Sequence, residues 1–225
     1  MSNGRFGQRK EDDVMYHEVE YKEFLHEMKQ FCGNMMQELC MALKNKYHIG
    51  AVPVLIGSGA KNLILQNANE PIDLDYNLVI NKNAYSGNGK DIKDAFKDCF
   101  NIVLRTYKLD DCNDSTSCLT SKLIILRKYP HIKFSIDVAI IDEDEDGSWY
   151  RLIHDKYNGQ YYWNEIPNDF EIKKRAAFIK KCSEWQAVRD MYKKLKNLYL
   201  GRNNPNHSSS VLYRESVNNV YNHLK

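Results

Sequence analysis

Residues 72 to 80 read IDLDYNLVI, and this stretch decides the fold. Apolar and aromatic side chains alternate in it with the polar residues Asp73, Asp75 and Asn77. Because successive side chains of a strand point to opposite faces, the pattern predicts a strand with one apolar face and one acidic face. Two carboxylates held on one face repel each other unless a cation lies between them. The pair therefore indicates either a cation site or a solvent-facing strand with two surface acids.

A third acid, Asp137, lies in a second apolar stretch. Residues 132–141 alternate so that Phe134, Ile136, Val138 and Ile140 share one face and Asp137 lies on the other. Partial burial of an unpaired carboxylate is costly, and a metal ion or a salt bridge would remove that cost. We expect this strand to pair in antiparallel fashion with residues 119–127 around the turn Tyr129-Pro130-His131.

A glycine turn precedes the acidic strand. The apolar run Ala51–Ile56 leads into Gly57-Ser58-Gly59, and residues 60–66 are expected to form a short helix. Glycine lets backbone approach a ligand closely, and the first turn of a helix offers unpaired N–H groups that favour phosphate. A plain tight turn would show the same three residues.

Taken together, these three pieces resemble the nucleotidyltransferase superfamily related to DNA polymerase beta. The resemblance rests on Leu55-Ile56-Gly57-Ser58, on Ile72-Asp73-Leu74-Asp75-Tyr76 and on Ser135-Ile136-Asp137-Val138. The helical flanks are most similar to the oligoadenylate-synthetase-like and cyclic-dinucleotide-synthase-like branch. Fourteen residues, Gly59 to Ile72, separate Ser58 from Asp73, which is long for such proteins, and an extended loop at 66–71 would absorb the surplus.

The resemblance implies an enzyme that moves a nucleoside monophosphate from a nucleoside triphosphate (NTP) to a hydroxyl acceptor and releases pyrophosphate. It implies two Mg²⁺ (or Mn²⁺) ions held by Asp73 and Asp75, with Asp137 completing the site of the catalytic ion. Gly57 and Ser58 would bind the triphosphate, and Lys181 would contact its outer phosphates. RNA ends, a second nucleotide, small molecules and proteins all remain possible acceptors.

The flanking sequence predicts an α+β fold, with a mixed, mainly antiparallel sheet flanked by helices and a C-terminal helical extension. We expect a polar tail at 1–13, a nucleotidyltransferase core at 14–166 and a helical region at 167–225. The core would begin with a long helix, Val14 to Tyr47, whose Met-rich stripe faces inward. The remaining elements expected are a helix at 91–107, a hairpin of 149–155 with 160–163, and helices after Pro167.

Composition excludes some classes of protein. The 225 residues carry a formal net charge of +2, which points to no globally charged partner. No run of eighteen apolar residues suggests a membrane span, and the N-terminus has no apolar signal core. The six cysteines form no CxxC pair, so reduced thiols in a cytoplasmic protein are expected. The oligomeric state is left open.

Two other functions fit the same fold. One is a catalytically silent nucleotide sensor, which the three intact aspartates disfavour. The other is an RNA-binding module, because residues 171–202 hold ten Lys or Arg and three Asp or Glu side chains. RNA affinity that depends on salt and not on NTP would favour that module.

Overall fold

The computed structural model describes residues 16–81, 88–199 and 207–225. The predicted tail at 1–13, the start of the first helix at Val14 and most of the loop predicted before Asp91 lie outside the described residues. In chain order the described elements are β1 (Tyr16–Glu18), α1 (Lys22–Tyr47), β2 (Ala51–Leu55), α2 (Gly57–Lys61), β3 (Leu65–Asn67), β4 (Ile72–Ile80), α3 (Gly89–Thr106), β5 (Asn113–Asp114), β6 (Leu119–Thr120), β7 (Ile124–Ile125), β8 (Lys133–Glu143), β9 (Trp149–Asp155), β10 (Gln160–Glu165), α4 (Phe170–Lys181), α5 (Trp185–Tyr199) and α6 (Ser209–Leu224).

The chain divides into two compact units. The larger unit comprises Val19–Ile64 and Pro71–Phe170, and it contains the main sheet with α1, α2 and α3. The described part of the smaller unit comprises residues 16–18, 65–70, 171–199 and 207–225. None of the helices formed by the described residues combines the length and apolar character needed to cross a bilayer.

The main sheet is mixed and mostly antiparallel, as predicted. Its strands lie in the order β10-β9-β8-β4-β2, and only the β4–β8 pair is parallel. The long strand β8 is paired along its other edge by β7, then β6, then β9. A parallel pair needs a long crossover between its strands. Here α3 and the short strands β5 to β7 lie in that crossover.

The apolar face of the sheet forms the core of the larger unit. Leu74 and Leu78 of β4 and Ile136 of β8 are fully buried. They belong to one cluster with residues of α1 and α3, including Met28, Met35, Phe96 and Phe100. The Met-rich stripe is therefore core, as predicted. In β4 and β8 the alternating apolar residues lie on this face, so the acidic positions lie on the other, where Ala139 and Ile141 are also buried.

The smaller unit has its own core and its own two-stranded sheet. Strands β1 and β3 pair in antiparallel fashion, with Tyr16 opposite Asn67. Helices α4, α5 and α6 pack around a separate apolar cluster formed by Ala176, Ile179, Val188, Val217 and Val220. Asn197 of α5 connects to β1, since its side chain bonds both the N–H and the carbonyl of Tyr16.

Four details of the predicted elements were wrong. Helix α1 begins at Lys22, because residues 16–18 pair with β3 as a strand. Helix α2 spans Gly57–Lys61 and does not reach residue 66, because Asn62 adopts a left-handed conformation (φ 55°) and ends it. The loop expected at 66–71 includes part of β3. The partner of β8 is two short strands rather than one continuous strand over 119–127.

Candidate active site

The parallel register of β4 and β8 brings the three predicted aspartates to one face of the sheet. Asp75 pairs directly with Asp137, and two residues earlier along each strand Asp73 pairs with Ser135. Paired residues on neighbouring strands point to the same side, and so do residues two apart on one strand. The three carboxylates therefore share a face, which is the arrangement that the alternation in residues 72–80 predicts.

Two hydroxyl groups contact this set of carboxylates. The Oγ of Ser135 donates a hydrogen bond to Oδ1 of Asp73 at 2.5 Å. The Oγ1 of Thr120, which lies opposite Asp137 in the β6–β8 pair, donates to Oδ1 of Asp137 at 2.5 Å. Neither hydroxyl residue stands out in the sequence pattern, because only the strand register shows that they are neighbours of the aspartates.

The glycine turn lies against the same carboxylates. Gly57 has a φ of 63°, which side chains other than glycine rarely adopt. A Cβ atom on Gly57 would also collide with the carboxylate of Asp75. The strand context explains this approach, since the N–H of Ile56 donates to the carbonyl of Asp75 at 2.9 Å. Backbone at Gly57 thus approaches the acidic site as closely as only a glycine allows.

Helix α2 begins at this turn, as predicted for Gly57 and Ser58. The carbonyl of Ser58 accepts from the N–H of Leu63, while the Ser58 hydroxyl makes no hydrogen bond to any described residue. Lys61 at the end of α2 donates to the carbonyl of Gly57 at 3.1 Å. Burial lowers the pKa of Lys61, and the charges of Asp75 and Asp169 act in the opposite direction. A cationic side chain therefore lies on the turn beside Asp75.

Burial and neighbouring charge strongly perturb the carboxyl group of Asp75. Burial, followed by the negative charges of Asp137 and Asp73, raises its pKa from 3.8 to about 6. Lys61 and Arg151 act in the opposite direction but are outweighed. Arg151 lies on β9 opposite Ile141, and its buried Nε has no hydrogen-bond partner within the described chain. Nothing in the sequence pattern distinguishes Arg151 as a neighbour of Asp75.

The aspartates fit a hard divalent cation in donor type and in the sheet face that they share. Carboxylate oxygens are the ligands that Mg²⁺ prefers, and the space against Gly57 keeps side-chain carbon away from Asp75. As they stand, no three His, Cys, Asp or Glu side chains in the described ranges are grouped tightly enough to hold a metal ion. Like charges keep such carboxylates apart, and a cation would draw them together. Their convergence on metal stays a prediction.

Lys181 is not placed at the site by any observation. It is an exposed residue in the last turn of α4, in the smaller unit, and its role at the phosphates stays a prediction. The neighbouring Lys180 lies over the ring of Trp185 at 4.5 Å. Tyr161 of β10 is stacked on His154 of β9, with ring centroids 4.1 Å apart.

The fold matches the nucleotidyltransferase fold of solved structures. Within that fold, the solved structures to which the chain is similar are those of cyclic-dinucleotide-synthase-like proteins. No family model and no curated protein sequence matches the chain. The likeness is therefore one of three-dimensional structure, and the sequence identities are low.

Three solved structures illustrate it. The Vibrio cholerae DncV cyclic AMP-GMP synthase, in complex with the linear intermediate pppA(3',5')pG, has a TM-score of 0.59 at 10% identity over 92% of this chain and 68% of its own. The Elizabethkingia meningoseptica CdnE cyclic dinucleotide synthase, with GTP and Apcpp, gives a TM-score of 0.53 at 11% sequence identity. The match covers 89% of this chain and 76% of the CdnE chain. E. coli CdnC with ATP gives a TM-score of 0.54 at 16% sequence identity, and the match covers 93% of this chain.

The chain is shorter than several of these proteins. It spans 63% of the CdnC chain and 42% of the Bradyrhizobium diazoefficiens CdnG chain, less than two thirds in both cases.

Proposed function

We propose that this chain is a divalent-cation-dependent nucleotidyltransferase that uses an NTP as donor and the hydroxyl of a second nucleotide as acceptor. One observation carries the proposal: Asp75 and Asp137 are in register on a parallel strand pair, with Asp73 on the same face and Gly57 against Asp75. The similar structures supply the choice of ligand, since they are described with GTP, ATP or a linear dinucleotide.

The residues of the glycine turn bind the donor. The first N–H groups of α2 lack partners within the helix, and the Ser58 hydroxyl is available as a further donor to phosphate. Substrate binding places the α-phosphorus of the NTP over the carboxylate face, where Asp73, Asp75 and Asp137 would hold the cations. Bound Mg²⁺ or Mn²⁺ would neutralise the charge that develops on the attacking and leaving oxygens.

The reaction balances without any redox partner. The acceptor hydroxyl oxygen forms a bond to the α-phosphorus, and the bond from that phosphorus to the bridging oxygen of the β-phosphate breaks. Pyrophosphate leaves with the bonding electrons, and the hydroxyl proton passes to Asp137 or to solvent. The protein contributes by positioning these groups and by stabilising charge.

The experiment is a product analysis with α-³²P-labelled NTPs and Mg²⁺, with nucleotide, RNA and protein acceptors in separate reactions. We expect pyrophosphate and a new phosphodiester product from the wild type and from Asp98→Asn, a surface control that pairs with Lys46. Asp75→Asn should give neither. Labelled RNA in place of a dinucleotide would change the acceptor, whereas NTP binding with no turnover of any NTP would favour the sensor.

A further inference from the structure

Two of the three aspartates each have one oxygen occupied by a hydroxyl of the protein. Ser135 is buried and bonds Oδ1 of Asp73, and Thr120 bonds Oδ1 of Asp137. Asp75, between them, receives no hydrogen bond from a side chain among the described residues. A serine or threonine hydroxyl has one proton to donate, so each of these two hydroxyls commits its proton to a single carboxylate oxygen.

The position of Ser135 follows from the sheet alone. It is the register partner of Asp73 in the parallel pair, so its side chain leaves β8 toward the same side as the carboxylate. The next strand residue, Ile136, is fully buried in the core on the other face, which fixes the rotation of β8 about its axis. The packing of Ile136 therefore holds the backbone of Ser135 beside Asp73.

Thr120 is held in place by a longer connection. Strand β6 has only two residues, and it ends the short segment that begins at β5. The Sγ of Cys118 lies 3.5 Å from Oγ1 of Thr120 and 2.9 Å from Oγ of Ser115. Lys93 of α3, which is 2% exposed, donates to the carbonyl of Ser115 at 2.6 Å.

The segment from β5 to β6 also contacts β9. Asp114 lies 2.9 Å from Nζ of Lys93, 3.0 Å from Nδ1 of His154 and 2.9 Å from Nζ of Lys156. The N–H of His154 also donates to the carbonyl of Thr116 at 2.8 Å. A partly buried ionic cluster thus holds a two-residue strand at one place along β8, and that place is Asp137.

We propose that Ser135 and Thr120 are positioning residues that set the carboxylate planes of Asp73 and Asp137 for cation binding. This inference rests on the proposed function. Each hydroxyl holds Oδ1 and leaves Oδ2 of the same carboxylate for the metal, so the two acids reach the cation with one oxygen each. Asp75, with both oxygens clear of protein donors, is left to bind through either or both.

The physical reason is the cost of ordering a carboxylate. A free aspartate rotates about its side-chain bonds, and metal binding must then restrict it. A hydrogen bond already present restricts it in advance, and loss of such a partner typically weakens metal binding about 10- to 100-fold. The hydroxyls also disperse negative charge while the site is without metal, which lowers the repulsion between the three acids.

The experiment measures Mn²⁺ binding by electron paramagnetic resonance on the full chain without NTP, so that it does not depend on turnover. The variants are Thr120→Val, Thr120→Ser and Ser135→Ala. Thr106→Val is the matched control, because its hydroxyl bonds only the carbonyl of Val103 at the end of α3. Asp75→Asn reports whether the signal comes from the proposed site, and thermal melting in EDTA confirms that each variant is folded.

We expect Thr120→Val and Ser135→Ala to bind Mn²⁺ about 10- to 100-fold more weakly, and Thr120→Ser and Thr106→Val to bind as the wild type does. If Thr120→Val fails to fold, Ser135→Ala carries the test. Wild-type affinity in both hydroxyl-deleted variants would overturn the inference, and so would equal weakening in Thr120→Ser, which keeps the hydroxyl. Unchanged binding in Asp75→Asn would instead overturn the proposed metal site, and this inference with it.

Discussion

Replacing Asp75 by asparagine should stabilise the protein in the absence of metal. Asp75 is half-buried beside Asp137 and Asp73, and burial together with their charges raises its pKa in the folded chain from 3.8 to about 6. A raised carboxyl pKa means that the folded state binds a proton more tightly than the unfolded state does. Ionised Asp75 is therefore destabilising, and Asp75→Asn removes the charge while keeping the shape of the side chain.

The magnitude follows from that shift. One pKa unit corresponds to about 1.4 kcal/mol, so a shift of about two units makes ionised Asp75 cost at most about 3 kcal/mol at pH 8. The cost builds up between about pH 4 and pH 6, is complete above that range, and falls below about 1 kcal/mol at pH 4. For a chain of this size, 3 kcal/mol corresponds to roughly 5–10 °C in melting temperature.

The assay is thermal or urea unfolding in EDTA at pH 4 and pH 8. We expect a higher free energy of unfolding for Asp75→Asn than for the wild type at pH 8, and nearly equal values at pH 4. Mg²⁺ should reverse the order at pH 8, since it binds only the wild type. Asp98→Asn is the control, because hydrogen bonding to Lys46 lowers the pKa of Asp98. Removing its charge should therefore not raise the free energy of unfolding at pH 8.

Two results would refute this reasoning. A loss of metal-free stability in Asp75→Asn at pH 8 would mean that the three carboxylates do not repel one another as the strand register implies. A gain of equal size at pH 4 and pH 8 would mean that the effect does not come from the charge of Asp75.

The other predictions concern backbone and burial. Gly57→Ala should lower the free energy of unfolding more than Gly159→Ala does, and only Gly57→Ala should abolish NTP-induced stabilisation. Both glycines have a positive φ, where an alanine costs about 1 kcal/mol. Only a Cβ at Gly57 would meet a carboxylate, whereas a Cβ at Gly159 would have nothing within 4 Å. Urea unfolding and NTP-dependent melting measure the difference, and equal costs would contradict the close approach to Asp75. Lys93→Met should cost about 1–3 kcal/mol in urea unfolding, because it leaves the partly buried Ser115 carbonyl and one oxygen of Asp114 without this donor. Unchanged stability would show that the neighbours of Asp114 compensate fully.

Local patterns predicted the parts of the fold that a single segment determines. Strand β4 was predicted to the residue, Ile72–Ile80, because nine alternating positions leave little choice of face or length. The hairpin of β9 and β10 was predicted from its Asn158-Gly159 turn. Strands β1 and β3 were missed, because each has three residues and is stabilised only by pairing with a segment about fifty residues away.

Some residues of the candidate site could likewise be predicted from a single segment, and others could not. The aspartates and the glycine turn could be identified from residue type and spacing. Ser135, Thr120, Lys61 and Arg151 could not, because their relation to the aspartates depends on strand register and on how a turn lies against a strand. Register is a property of two segments, and neither segment alone contains it.

The register of β4 against β8 depends on residues that never contact the site. Ile136, Val138 and Ile140 lie on the opposite face of β8 from Asp137 and pack into the core with α1 and α3. Because side chains alternate, a slip of one residue would turn Asp137 into that core and turn the three apolar residues away from it. The cost of burying a carboxylate, added to the loss of apolar burial, far exceeds the repulsion among the three acids. The apolar face therefore holds the carboxylates together in the absence of metal, and it is the reason that a repelling set of charges persists at one place on the sheet.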